Sequence, residues 1–492
     1  MSQASALPGL ALAPSALAVV LILLSRRRPV VRETWSILAA ITQTVVLAAM
    51  IPSALGGTEL VWSPIALAEG VPLVLRADPL GVFFGTLASA LWVLTTVYSI
   101  GYTRALREHA QTRYFASFAL SLFATIGVAL AGNLVTFFGF FEILTVATYP
   151  LVIHKETPEA ARAGRVYLAY TLTAGAALLG AVAGIQVLAG RTEFQAGGIL
   201  GGLSVTPAAL WGLLLLCVVG CGVKAALVPL HTWLPLAMIA PTPVSALLHA
   251  VAVVKAGVFG LARVTGFVFG PELLGEMGAD HALAAVALAT ILLGSLAALR
   301  QDNLKRLLAF STVSQLSYIV LGVTLGVPEA FAGGVLHIAS HGLLKITLFF
   351  CAGALYVAAG AERVSELDGI GRRMPFTMAA FALAAFLLAG LPPGLAFASK
   401  WHLLAGAVGA HAWLAVATLS ASTVLNIAYF APIVIRAFRP GREGPIQEAP
   451  LPLLVPLLVT AAGGLLLGVD PDAGARLWSL AQAVAVSVGG VR

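Results

Sequence analysis

Charged residues are scarce in this sequence. They make up 10% of its 492 residues, whereas hydrophobic residues make up 60%. A soluble domain of this length carries far more surface charge, so the composition excludes a soluble enzyme or binding module. Apolar runs of about 20 residues recur from end to end, and each is long enough to cross a bilayer. The sequence therefore predicts an all-α polytopic membrane protein that is embedded in the lipid bilayer and has little mass outside it.

Cysteines are equally scarce, and nucleotide-binding motifs do not occur. The three cysteines, Cys217, Cys221 and Cys351, lie in apolar segments without the Cys/His set of a zinc site or a cluster for iron–sulfur. Neither a G-x-x-x-x-G-K-[ST] loop nor a dinucleotide fingerprint is found. We therefore predict no cofactor, no metal and no redox site of its own, so any redox energy has to come from a partner.

The distribution of basic residues predicts the orientation of the chain in the membrane. If about fourteen spans are placed with the N-terminus outside, most of the 28 Lys and Arg residues fall in cytoplasmic loops. Arg442 is counted on the inner side, and Arg263 and Arg492 on the outer side. The formal charge of +7 reflects these arginine-rich loops and does not indicate nucleic acid binding. We expect a multi-pass protein of the plasma membrane with both termini on the outer, periplasmic side.

Five ionisable residues lie deep inside apolar runs. They are one acid and four lysines: Glu142, Lys224, Lys255, Lys345 and Lys400. A charge at the centre of a transmembrane helix costs about 2.5–3.5 kcal/mol even on insertion scales, so such residues mark a transport or relay function. Their presence indicates a path for charge through the membrane.

Two of the lysines lie next to prolines that interrupt a predicted span. Lys224 precedes its prolines and Lys400 follows a Pro-Pro-Gly sequence, so the order is reversed between the two. Broken helices line wet cavities in transporters, and a reversed order is what an inverted repeat produces. We predict two inverted five-helix repeats with broken helices near 224–235 and 390–400. The prolines expected at the breaks are Pro229, Pro235, Pro392 and Pro393.

Histidines accompany the remaining deep lysines. His249 precedes Lys255 on one span, while His337, His341 and Lys345 have i, i+4, i+8 spacing on another. That spacing puts three ionisable groups on one helix face, roughly 6 Å apart, where waters can bridge them. A zinc site is the alternative for the histidine pair, but no acid or cysteine accompanies it.

The segments KAALVPLHTWLPLAMIAPTPVSALLHAVAVVKAG, DNLKRLLAFSTVSQLSYI and HIASHGLLK, together with the run around Glu142, carry a resemblance to a known family. Over roughly residues 75–440 the chain resembles the antiporter-like subunits shared by respiratory complex I and Mrp-type multisubunit cation/proton antiporters. The resemblance implies fourteen helices, with broken helices at the seventh and twelfth positions. It also implies an acid–lysine pair of Glu142 and Lys224. One departure is Gln315, where many members have histidine, so a water would have to serve there.

The same resemblance implies the remaining roles. Lys255 matches the connecting lysine and Lys400 the lysine on the second broken helix, while His337, His341 and Lys345 match the central polar axis. The expected organisation is an N-terminal three-helix segment (1–110), two five-helix repeats that each form a proton half-channel (111–265 and 280–436), and a C-terminal helix and tail (437–492).

Three functions stay open at this point. The first, which a resemblance to D-type chains of Mrp antiporters implies, is a proton-translocating subunit of a multisubunit Na⁺ or K⁺/proton antiporter. Its partners would be other membrane subunits, and its transported ions would be protons with Na⁺ or K⁺. The second is the proton-pumping membrane arm of an NADH:quinone oxidoreductase or a related membrane hydrogenase. The third is the membrane partner of an inorganic-carbon uptake system.

Overall fold

Transmembrane helices make up most of the computed structural model, which describes residues 2–68, 71–441 and 444–489. Within these residues, 13 helices are long and apolar enough to cross a membrane. They are α1 (Leu7–Leu24), α2 (Pro29–Leu55), α3 (Pro79–Ala105), α4 (Gln111–Ala129), α5 (Leu134–Val152), α6 (Pro158–Ala189), α7 (Pro207–Lys224), α8 (Thr242–Phe269), α9 (Ala279–Leu299), α10 (Leu304–Thr324), α11 (Pro328–Ala359), α14 (Trp413–Phe438) and α15 (Leu451–Val469). Three shorter helices also lie among the described residues, namely α12 (Pro375–Ala389), α13 (Leu395–Gly409) and α16 (Leu477–Gly489), besides single-turn and two-turn helices such as Pro271–Glu276 and Ile370–Arg373.

Polar caps explain where several of these helices begin. Asp78, Asn133, Thr157 and Thr206 each accept a hydrogen bond from the backbone N–H three residues later. Such caps satisfy backbone donors that the first helical turn leaves unpaired. Proline follows three of the four caps and suits the first helical position, because its missing N–H is not needed there.

The two broken spans predicted from the sequence are present. Helix α7 ends at Lys224, and the chain turns through residues 225–232 before the short helix Trp233–Leu236 begins. Pro229 lies in that turn and Pro235 in the short helix. The second break separates α12 from α13, and Pro392 and Pro393 lie in it. With α12 and α13 counted as one broken span, the membrane-spanning set is the fourteen spans expected.

A small sheet precedes α3, which the sequence analysis did not predict. Its strands are β1 (Ser2–Ala4), β2 (Glu59–Ala68) and β3 (Val71–Ala77). β1 runs parallel to β2 with Ser2 opposite Glu59, and β3 runs antiparallel to β2 with Trp62 opposite Leu75. The sheet contacts the loop between α4 and α5, where Leu75 pairs with Ala131.

The centre of the bundle is α8, in which every residue from Thr242 to Phe269 is buried. Arg263 lies in this helix, although the sequence analysis had placed it in an outer loop. Its guanidinium donates to both carboxylate oxygens of Asp78, at 2.5 and 2.8 Å. A buried arginine is tolerated there because the fork of Arg263 is paired with an acid and three aromatic rings lie about 5 Å away.

Each of the two predicted repeats covers five spans. Residues 111–265 contain α4 to α7 and all of α8 except its last turn. Residues 280–436 contain nearly all of α9, α10, α11, the broken span α12–α13, and α14. The break falls in the fourth span of each. The inverted relation between the two segments stays a prediction. Arg442, Arg492 and the end of the 437–492 tail lie outside the described residues.

Candidate functional site: a buried polar line

Eight ionisable side chains from five spans lie in the interior of the bundle. We call them the buried polar line. Six have no exposed surface and two, Glu142 and Lys400, are partly buried. The members are Glu142, Lys224, His249, Lys255, His337, His341, Lys345 and Lys400.

Glu142 lies at the middle of α5, against the backbone of α6. Gly175 of α6 provides the space: a methyl group on that residue would lie 2.7–2.8 Å from the carboxyl atoms of Glu142. Oε1 of Glu142 is buried without a hydrogen-bond partner among the described residues. A buried carboxylate oxygen needs a donor, so water or a moving cationic side chain has to supply it.

Lys224 is the last residue of α7, where the helix breaks. Its amine donates to the carbonyl oxygen of Phe141 and lies 3.4 Å from the centre of the Phe141 ring. Phe141 is the residue before Glu142, so the amine reaches α5 at the level of that acid. The ion pairs of the described residues do not include Lys224, so the amine and the Glu142 carboxylate are neighbours without a direct contact.

Gly257 of α8 lets that helix approach the first break. A methyl group on Gly257 would collide with the backbone nitrogen of Ala225 and the carbonyl carbon of Lys224. We expect Gly257→Ala to lower the stability of the chain by about 1–3 kcal/mol, because backbone atoms cannot rotate away. Thermal unfolding of the purified chain measures this effect.

Gly212→Ala is the matched control for Gly257→Ala. A methyl group on Gly212 of α7 would meet no described atom within 4 Å. We therefore expect this variant to unfold at or slightly above the wild-type temperature, because alanine favours a helix interior more than glycine does. Equal unfolding temperatures for both variants would mean that α8 does not pack against the break as closely as described.

Lys255 and His341 form a direct contact between α8 and α11. Lys255 Nζ and His341 Nδ1 are hydrogen-bonded at 2.8 Å, while Nε2 of His341 has no partner within the described part of the chain. His249 lies in a π-helical segment of α8, Leu247–Val251, and packs on Phe349; neither of its ring nitrogens bonds a described residue. π-Helical turns recur at functional sites. Three buried ring nitrogens are thus available to water.

Lys345, two turns after His337 on α11, is held by hydroxyl groups. Its amine donates to Ser311 Oγ at 2.9 Å, and Ser311 Oγ is 2.9 Å from Tyr429 OH. Tyr429 OH donates to Asn426 Oδ1. The four side chains connect α11, α10 and α14 through one continuous set of hydrogen bonds.

His337 is bonded on both sides. Its Nδ1 lies 2.8 Å from Ser399 Oγ, and its Nε2 lies 3.0 Å from Gln315 Oε1. Ser340 Oγ lies 3.0 Å from Ser399 Oγ and closes the set. Gln315 therefore contacts the buried polar line directly, and the water expected at this position stays a prediction.

Lys400 lies on α13, just beyond the second break. Its amine donates to the carbonyl oxygens of Leu388 and Ala389, at 2.9 and 3.0 Å, which end α12. The last carbonyls of a helix have no helical partner and carry partial negative charge, so they suit an amine. The ring of Tyr318 lies 4.8 Å from the amine and stacks on His337. A cavity of about 310 Å³ opens beside Lys400 and Trp401.

The structure brings the residues named from the sequence together in three groups. Lys255 and His341 are in direct contact, Glu142 and Lys224 are neighbours, and His337 is linked to the region of Lys400 through Ser399. The hydroxyl partners Ser311, Ser399 and Tyr429 were missed. Serine and tyrosine are ordinary in membrane helices, so their identity carried no signal without the contacts.

Comparisons with known proteins agree on one family. The family profile described as NADH:quinone oxidoreductase/Mrp antiporter, TM, matches residues 131–426. An NADH-quinone oxidoreductase subunit N from Desulforudis audaxviator is 35% identical over 418 residues, which cover 81% of this chain and 82% of that protein. The A/B subunit of a probable K(+)/H(+) antiporter from Rhizobium meliloti is also 35% identical, over 70% of this chain but only 34% of its own length.

A solved structure shares the fold. A chain in the Mrp complex from a Dietzia species superposes with a TM-score of 0.85 over 98% of this chain and 96% of that one. Their sequences are 23% identical, so this likeness concerns the fold alone.

Proposed function

Because the chain belongs to the NADH:quinone oxidoreductase/Mrp antiporter family of membrane proteins, we propose that it is a proton-translocating subunit of a multisubunit monovalent cation/proton antiporter. The observation that carries this proposal is the buried polar line itself. Six of its eight ionisable side chains have no exposed surface. Each would cost free energy in a merely structural core, where apolar side chains of the same volume pack as well or better.

The first step of the proposed path is at the broken helix α7. Lys224 donates to a backbone carbonyl, and Oε1 of Glu142, which bonds none of the described residues, is available one residue further along α5. Movement of the amine between these two acceptors would change how tightly Lys224 holds its proton, because a carboxylate favours the charged amine far more than a carbonyl does. We propose that Glu142 controls proton release from Lys224 in this way.

The proton would then pass to the second half of the chain. The Lys255–His341 contact joins α8 to α11, and His337 lies one helical turn before His341 on α11. His337 is hydrogen-bonded to Ser399, which precedes Lys400 in the chain. We propose that the exit is the cavity beside Lys400, with His249 and Lys345 adjusting the charge of the intermediate positions.

We further propose how the protein is arranged in the membrane. Residues 111–265 and 280–436 would act as two half-channels related by an inverted repeat, with both termini on the outer side. The excess of arginine in alternate loops supports this orientation. The transported cation would be Na⁺ or K⁺, as expected for a D-type antiporter chain, and the coupling would require other membrane subunits.

One observation favours a second candidate, the proton-pumping arm of an NADH:quinone oxidoreductase. The chain covers 82% of the subunit N relative but only 34% of the K(+)/H(+) antiporter relative at equal identity. The chain therefore matches most of the oxidoreductase relative but only part of this antiporter relative, although it also matches 96% of a chain from the Mrp complex. The buried polar line serves either complex, since the proton path is the same and only the source of energy differs.

Purification of the chain from native membranes separates the two candidates. Mild detergent extraction followed by mass spectrometry of the co-purifying chains is the measurement. Co-purification of small membrane subunits without cofactors would support the antiporter function. Co-purification of subunits that contain flavin and iron–sulfur clusters would contradict it and support the oxidoreductase function. The intact complex in proteoliposomes then shows whether Na⁺, K⁺ or quinone reduction drives proton movement.

Gly175→Ala tests the role of Glu142 without touching an ionisable residue. The new methyl group would lie 2.7 Å from Oε1 of Glu142, so the carboxylate has to turn away from its position. We expect proton transport by the complex in vesicles to fall several-fold while the unfolding temperature changes little, because the end of a glutamate side chain is flexible.

The control for Gly175→Ala is Gly139→Ala on α5, where a methyl group meets none of the described atoms within 4 Å. It lies one turn from Glu142 and should transport at the wild-type rate. Wild-type transport by both variants would show that the position of the Glu142 carboxylate is unimportant.

A further inference from the structure

A second cluster of ionisable side chains lies outside the buried polar line. It is formed by the loop between α3 and α4 and the loop between α5 and α6, which hold Glu108, His109 and His154. One ligand atom from each of these three residues lies within 4.8 Å of the others. This is the only such group among residues 2–68, 71–441 and 444–489.

His154 is the reason to consider a ligand at this place. It has no exposed surface, and neither of its ring nitrogens has a hydrogen-bond partner among the residues that the structure describes. Buried polar atoms are almost always paired, so two unpaired nitrogens call for an explanation. The ring stacks on His109 with centroids 4.8 Å apart and meets the edge of Tyr114 at 5.4 Å, so it is held in place.

Two carboxylates, those of Glu108 and Glu156, lie next to the two imidazole rings. An oxygen of Glu108 lies 3.7 Å from Nε2 of His154, and an oxygen of Glu156 lies 3.8 Å from Nε2 of His109. Arg113 brings a positive charge to the cluster, and it donates to the other oxygen of Glu156 at 2.6 Å. The Glu108 carboxylate is thus available to a metal while that of Glu156 is occupied by the guanidinium.

The donor atoms of the cluster also suit a metal, because imidazole nitrogens and carboxylate oxygens are the usual protein ligands of zinc. Two imidazoles and one carboxylate are the donor set of many zinc sites, in which water takes the fourth position.

We propose that Glu108, His109 and His154 form a site for one divalent transition-metal ion of the zinc class, which joins the α3–α4 loop to the α5–α6 loop. Such a bond would restrain the end of α5, the helix that holds Glu142. Closure of the site requires the ligand atoms, which lie within 4.8 Å of one another, to move closer and the stacked imidazole rings to turn, because ligands of a tetrahedral zinc ion lie about 2.0–2.2 Å from the metal. The site does not depend on the proposed proton path.

Metal titration of the purified full-length chain tests this proposal. The chain is stripped with a chelator and titrated with Co²⁺, whose visible absorption reports its ligands, and then with Zn²⁺ in competition. We expect one Co²⁺ per chain, displaced by Zn²⁺, and a rise in unfolding temperature when Zn²⁺ is added. His109→Asn should weaken binding at least about tenfold and abolish the thermal shift.

Variants that are expected to fold distinguish loss of metal binding from loss of folding. His154→Asn removes the buried ligand, while His109 is half-exposed (47%), so His109→Asn is expected to fold. His411→Asn is the control, because His411 is an exposed histidine at another loop and its backbone lies in the left-handed region that asparagine tolerates. Equal Co²⁺ affinity in the wild type, His109→Asn and His411→Asn would overturn the proposal.

Discussion

Lys224→Ala is expected to abolish proton transport by the assembled complex. Lys224 is the only amine at the first helix break among the described residues, and its nearest acceptor is the carbonyl of Phe141. Without the amine, a proton crossing this point is an unpaired charge in the membrane interior, which costs about 2.5–3.5 kcal/mol. That cost corresponds to a rate roughly 100-fold lower. Proton uptake into proteoliposomes, followed with a pH-sensitive dye, is the measurement.

Glu142→Ala should give the same loss by a different route. The amine of Lys224 would keep its carbonyl partner but lose the acid that strengthens its hold on the proton. Lys155→Ala and Glu272→Ala are the matched controls, because these two residues lie outside the helices that carry the buried polar line. All four variants should assemble with their partner subunits. Undiminished transport in both Lys224→Ala and Glu142→Ala would refute the proposed mechanism.

The second large effect is expected at the contact between α8 and α11. Lys255→Met keeps an unbranched side chain that is one atom shorter, but it removes the amine that is hydrogen-bonded to His341 at 2.8 Å. Methionine also leaves Nδ1 of His341 without a partner in a fully buried position. We expect transport to fall at least about tenfold, by the same argument of an uncompensated charge in the membrane.

His341→Asn and the double variant show whether the two residues act in series. If the proton passes from one to the other, removal of both should be no worse than removal of either. Transport that falls multiplicatively in the double variant would place Lys255 and His341 on separate paths. Assembly is checked by the amount of each partner protein that co-purifies.

The spans were predictable because bilayer thickness sets their length and composition. The second break contains Pro392 and Pro393, as the prolines indicated. The buried charged residues could be named from the sequence because a lysine inside a long apolar run is costly in a membrane, which marks it as a functional candidate. Periodicity contributed less, since the spans are apolar on all sides.

Other features depend on contacts between distant segments, which a single sequence does not display. The strand Glu59–Ala68 is interrupted by Ser63 and Pro64 and lacks a clear alternation, so it resembles a loop. Helix α16 contains Gln482 and is only 13 residues long, too short for a straight membrane crossing. The ion pair of Asp78 with Arg263 joins residues far apart in the chain, and so does the cluster around His154.

The hydrogen-bond partners within the buried polar line were the least predictable. Ser399 bonds His337 because the second break turns α13 toward α11, a consequence of packing and not of local sequence. Gln315 bonds the same ring where a histidine would have been a more obvious relay residue. In both cases the residue type indicates which side chains can form hydrogen bonds, whereas the packing of the helices determines which of them are in contact.

The central claim is that the buried polar line is a connected proton path, and a map of the assembled complex at a resolution that shows ordered water tests it most directly. Buried polar atoms without protein partners bind water where the cavity is polar. We predict ordered water on Oε1 of Glu142, Nε2 of His341 and the ring nitrogens of His249, bridging Lys224 to Lys255 and His341 to Lys345. Gaps filled by apolar side chains, with no water on these atoms, would contradict the claim.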